Sequence, residues 1–177
     1  MRITERQAAD IKLYRAAYAA LGAHTPLLGD CGALCSAACC HGGRHDGMIV
    51  FPGEELLLRR FYGMRLKRAE LRGIPCRFAL CRSACLRHPE MRARRPLSCR
   101  IFPYAPHFAP DGALEVIPDP RARAVCPIAK APGERTDADP EFARSVQSAF
   151  EILLRRPGMR EFLGRYSDML DDYKKFF

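Results

Sequence analysis

Apolar residues recur at helical spacing at both ends of the chain and lose that spacing between them. Ile11, Tyr14, Tyr18 and Leu21 fall on one stripe, preceded by Thr4 and Gln7 at capping-box spacing and interrupted by Gly22. This pattern predicts a first helix within residues 1–22. At the other end Asp139 and Pro140 read as an N-cap followed by proline at the first helical position, and Phe142, Val146, Ala149, Phe150 and Leu153 form a stripe behind them. A last helix starts at Pro157 and carries Phe162, Leu163, Tyr166 and Leu170, so helices span residues 139–173.

The interior reads differently. Asp46-Gly47 is a turn signal in front of a short apolar run, and Pro52, Gly53, Glu54 and Glu55 resemble a helix start with acids in its first turn. From there the pattern predicts a second helix running to Gly73. Beyond Pro75 prolines and cysteines recur too often for long helices, and "HFAPDGALEVIP" predicts a hairpin turning at Asp111-Gly112. The expected fold is mainly α, with a loop-rich, cysteine-rich middle and one or two short β-hairpins. A chain of 177 residues fits one domain, 1–177, without needing disulfides to fold.

Charge changes this picture in one place. Of the net +9, residues 59–100 carry 13 Lys or Arg against Glu70 and Glu90, a balance of +11 that leaves −2 for the rest. The same segment holds Cys76, Cys81, Cys85 and Cys99, so its cations can neutralise thiolates as well as attract an anionic partner. Arg77, Arg95 and Arg100 are the candidates for that compensation. The N-terminal residues lack the apolar run of a secretory signal, and no stretch approaches the length of a membrane span, which gives a cytoplasmic expectation with no membrane contact.

In a reducing cytoplasm clustered cysteine points to metal or catalysis more than to disulfides, and the odd count of nine agrees. Cys31, Cys35 and Cys39 are four apart, and Cys40 adjoins the third. On a straight helix these positions climb about 6 Å per step, whereas one tetrahedral zinc needs its sulfurs about 3.8 Å apart. The segment would then offer one ion two thiols, with Cys39 and Cys40 diverging to partners among Cys76, Cys81, Cys85, Cys99 and Cys126. Nine cysteines allow two four-thiolate sites with one left over. No zinc-knuckle repeat is present, and the spacing misses that of radical enzymes using S-adenosylmethionine by one residue. A Cys85–His88 nucleophile is a weaker explanation than ligation, and His41, His45 and His88 read as hydrogen-bonded or exposed histidines. Glu54 and Glu55 read as first-turn acids rather than an acid–base pair.

The segments "CGALCSAACC", "GMIVFPGEELLL", "CRSACLRHPEMRARRPLSCRIFPYAP" and "DPRARAVCPI" together resemble the YkgJ-like cysteine-cluster proteins, described as zinc- or iron-chelating domains. The resemblance covers residues 31–128. It implies that Cys31, Cys35, Cys39, Cys40, Cys81, Cys85 and Cys99 are metal ligands, with Cys76 and Cys126 matching less closely. Flagellin lysine methylases carry a similar segment. The expectation is a metal-stabilised domain coordinating an iron-sulfur cluster or zinc in a structural or redox role. The alternatives are a metal-dependent enzyme modifying a protein partner and, ranked last, a nucleic-acid binder using the basic 59–100 segment.

Overall fold

The computed structural model describes residues 2–29, 31–41, 47–80, 94–130 and 139–176. Of these residues about 50% are helical and 19% are in strands, arranged as helices against two small antiparallel sheets. The first helix, α1 (Glu5–Leu21), has both halves of its capping box: Gln7 N donates to Thr4 Oγ1 (3.2 Å) and Thr4 N to Gln7 Oε1 (3.0 Å). It ends at Gly22, whose φ of 59° L-residues rarely adopt. The C-terminal helices α4 (Phe142–Leu153) and α5 (Met159–Lys174) bury the stripes expected of them. Helix α1 lies along α4.

Phe51 sits where these helices meet the rest of the chain. It is fully buried and presents its ring edge-on to Phe150, Tyr166 and Phe162, with centroids 4.9, 5.7 and 6.1 Å away. Such aromatic pairs add about 0.5–1.5 kcal/mol each beyond the area they bury. This hub holds the turn Pro52–Glu55 against α1. Tyr14 donates to the Pro52 carbonyl (3.0 Å), and Arg156 pairs with Asp10 beside Gly53.

The predicted helix from Pro52 to Gly73 does not form beyond a short π-helical turn, Leu57–Phe61. Gly63, at φ 63°, ends it, and Leu66–Leu71 is instead strand β2. Strand β1 (Gly47–Val50) and β2 flank β3 (Ile74–Leu80), with Leu66 opposite Ala79 and Leu71 opposite Ile74. The hairpin turns on Arg72 and Gly73, at φ 45° and 83°, the paired positive values that fit the twist of adjoining strands. The glycine read as a helix stop is a turn residue. Pairing turns Ala69, Leu71, Ile74, Cys76 and Phe78 to the main core, and places Arg68 directly opposite Arg77 on the other face. A helix over residues 64–73 would turn Ala69 and Leu71 about 200° apart, off any shared face.

The second sheet matches its prediction: β4 (Tyr104–Phe108) pairs with β5 (Leu114–Pro118) across a turn containing Gly112 at φ 82°. It packs on α5, where Phe108 N donates to Ser167 Oγ (2.9 Å) and buried His107 reaches Glu115 and Asp171. Between the sheets lies the short helix α2 (Leu97–Ile101). After β5 come a 3-10 turn, Pro120–Ala124, and a four-residue helix, α3 (Pro127–Lys130). Among the described residues no helix is long and apolar enough to cross a membrane.

Candidate metal centre

The segment from Cys31 to Cys40 is two 3-10 turns, Cys31–Leu34 and Ala38–Cys40, and not a straight helix. Between them Ser36 and Ala37 take φ of 49° and 55°, left-handed values that cost a non-glycine residue about 1 kcal/mol or more each. The reversal is tied down twice. Ala37 N donates to the Gly32 carbonyl (2.8 Å), and His41 Nε2 to that of Ser36 (2.8 Å), so His41 supports the turn. Folding back this way brings the later cysteines to the side already occupied by the earlier ones. Cys39 and Cys40 do not diverge: their sulfurs are 4.0 Å apart, close to the spacing of two thiolates on one tetrahedral ion and far beyond a disulfide bond.

Cys31, Cys35, Cys39 and Cys40 line one cavity together with Cys99 and Cys126. Helix α2 delivers Cys99: Pro96 caps it in an extended conformation, and Cys99 N and Arg100 N both donate to the Pro96 carbonyl. Cys126 stands at the junction of the 3-10 turn and α3, its N–H held by the Ala122 carbonyl (2.8 Å). A small apolar cluster of Leu27, Ala122, Cys126, Ile128 and Ala129 packs with Cys31, Phe102 and Tyr104 behind this wall. The cavity measures about 50 Å³. One water's share of liquid volume is about 30 Å³, and organic-ligand pockets run to about 300 Å³ or more, so the space suits an ion or a compact cluster.

Among the described residues no three His, Cys, Asp or Glu side chains form a ready-made ion site. The six thiols surround the space without converging on one point. Their chemistry still fits a soft cation. The Cys39 thiol is pushed far above its usual range, first by its hydrogen bond with Cys40, then by burial, then by the nearby Cys40, Cys31 and Cys35. Cys39 therefore resists becoming a thiolate beside its neighbours, and a bound cation would remove that penalty. Arg95 supplies a positive group at the wall, with Nη2 3.9 Å from Cys40 Sγ.

The remaining sequence candidates separate. Cys76 lies on β3 opposite Ala69, buried in the main core, and borders a different cavity with Glu55, Arg68 and Arg77. Its thiol is raised by burial, with Arg77 acting in the opposite sense. The structure therefore places Cys76 and Arg77 apart from the six cysteines that line the first cavity. Cys81, Cys85, His45 and His88 lie outside the described residues. Arg100 turns its guanidinium over the Tyr18 ring, 4.0 Å from the centroid, and donates through Nε to the Arg95 carbonyl (3.0 Å).

Sequence reasoning missed Glu54. It is fully buried, and its Oε1 accepts from Tyr18 Oη and from the backbone N of Leu97 (2.7 Å), the first residue of α2. Oε2 has no hydrogen-bond partner among the described residues. Burial pushes the carboxyl up to about 7, against the lowering influence of the two hydrogen bonds and of Arg100. The signal present in the sequence was the pair of acids after Pro52-Gly53. Which of them turns inward depends on tertiary packing; Glu55 accepts locally from Gly53 N (2.8 Å).

No family model matches this chain, and no curated protein or solved structure is similar to it.

Proposed function

We propose that this protein is a metal-thiolate protein, holding an iron-sulfur cluster or zinc in the cavity lined by Cys31, Cys35, Cys39, Cys40, Cys99 and Cys126. The observation that carries the reading is the gathering of six cysteines from three separate stretches of chain around one small space. The resemblance to the YkgJ-like cysteine-cluster proteins points the same way on residue grounds alone. The cavity's size favours an ion or compact cluster over an organic substrate, so a structural or redox role is preferred to catalysis on a protein substrate. Because the thiols encircle the space without a preformed ion site among the described residues, binding would draw them together and order the cysteine region. Anaerobic purification followed by zinc, iron and acid-labile sulfide determination tests the proposal. Stoichiometric zinc in colourless protein, or iron with sulfide in coloured protein, supports it. Folded protein that neither contains nor takes up metal refutes it.

A second reading has one observation behind it. Arg68 and Arg77 stand opposite each other on one face of the three-stranded sheet with no ion-pair partner among the described residues, whereas nearby Arg72 pairs with Asp172. The unneutralised group fits a phosphate backbone. Two phosphate contacts on duplex DNA would give log K a slope of about −1.8 against log salt, and absence of binding at low salt removes this reading.

A further inference from the structure

Glu54 and the candidate metal centre belong to different parts of the sequence, yet one hydrogen bond connects them. The carboxylate lies inside the protein between α1 and α2, and Oε1 accepts from Tyr18 Oη on one side and Leu97 N on the other. Leu97 opens α2, and Cys99 follows two residues later. The same short helix carries Arg100, which stacks on Tyr18 and holds the Arg95 carbonyl, while the Arg95 guanidinium lies against Cys40. One buried oxygen thus lies at the junction of two routes to the cavity, through the helix backbone to Cys99 and through the two arginines to Cys40.

We infer that Glu54 is a positioning residue for the thiol site, fixing α2 so that Cys99 and the Arg95 side chain face the cavity. The inference rests on the metal-thiolate reading above. A backbone N–H at a helix start needs an acceptor when it is buried, and only a side chain from another segment supplies one here, because Pro96 offers no side-chain cap. The acceptor's reach matters more than its charge. Glutamine keeps a carbonyl oxygen at the position of Oε1 and places its amide where Oε2 has no partner among the described residues. Aspartate keeps the carboxyl group but is shorter by one methylene, and cannot span from the Pro52–Glu55 turn to both donors. Methionine keeps the volume and loses the acceptor.

The test uses the full chain as wild type, Glu54→Gln, Glu54→Asp and Glu54→Met, titrated anaerobically with Co²⁺ and read by the thiolate-to-cobalt absorption band. Hydrogen exchange of amides 97–101 in the metal-free proteins is the second readout. Glu54→Gln is expected to bind cobalt within about twofold of wild type, while Glu54→Asp and Glu54→Met bind at least tenfold more weakly, with faster exchange across α2. A general stabilising role would not separate glutamine from aspartate in the cobalt spectrum. Should Glu54→Met fail to fold, the glutamine and aspartate pair decides. Wild-type cobalt binding matched by Glu54→Asp overturns the positioning role and leaves the metal reading intact. Absence of the thiolate band in wild type overturns both.

Discussion

The buried carboxyl of Glu54 makes a quantitative demand on how stability varies with pH. Its pKa is pushed up from 4.5 to about 7 in the folded chain, so the folded state holds a proton that the unfolded state has already released near neutrality. The sign follows from proton counting. An acid whose folded pKa is raised favours the folded state most below about 4.5, loses that advantage as pH rises from 4.5 to 7, and changes little above that. That displacement corresponds to about 3 kcal/mol in full, most of it falling between pH 5 and pH 8. Glutamine at position 54 cannot ionise, so this component of the pH dependence vanishes. Urea unfolding of wild type and Glu54→Gln, followed by far-ultraviolet circular dichroism at half-unit intervals from pH 5 to 8, isolates the difference while cancelling other titrating groups. The gap between the two stability curves should move by about 2–3 kcal/mol in favour of the variant as pH rises. Curves that stay parallel would mean that Glu54 is ionised throughout, with Arg100 and its two donors outweighing burial.

Three other outcomes follow from the geometry. Phe51→Ala, which removes the ring contacted by Phe150, Phe162 and Tyr166, should cost about 4 kcal/mol in urea unfolding; a loss below 1 kcal/mol contradicts its place at the hub. Gly53→Ala should cost about 2 kcal/mol or more, because φ is 94° and the new Cβ would lie 2.5 Å from Arg156 Nε and 2.9 Å from Asp10 Cγ; an unchanged melting temperature would contradict that crowding. Cys76→Ala should leave metal content unaltered, whereas Cys126→Ala should reduce it at least severalfold by elemental analysis; equal losses would place Cys76 in the site.

The terminal helices were legible because their signals are local. Thr4 with Gln7, Gly22, and the stripes of α4 and α5 each act within a few turns of chain. The segment after Pro52 misled because its leucines and arginines fit helical spacing as well as strand alternation. The choice was made by Gly63 and by the Arg72-Gly73 turn pairing β2 with a strand interrupted by Pro75. In the site, the companionship of the early and late cysteines was readable from their number. The convergence of Cys39 and Cys40 was not, since counting residues on a helix assumes a helix, and Ser36 and Ala37 have no compositional mark of a left-handed turn. Glu54 was hidden for a different reason: whether a carboxylate is solvated or buried depends on which surfaces close over it, here α1 and α2.

The turn at Ser36 and Ala37 shifts where the identity of the cysteine cluster resides. Sulfur spacing alone describes a ladder along a helix, with rungs too far apart to share an ion. Two residues without sulfur convert that ladder into an arc. Their tolerance for change is accordingly unequal to their plainness: glycine or asparagine can occupy these left-handed positions, but valine or isoleucine would oppose them. A search for related clusters keyed only to cysteine intervals would overlook half of the instruction, because the intervals say how many thiols are present and the turn says which way they look.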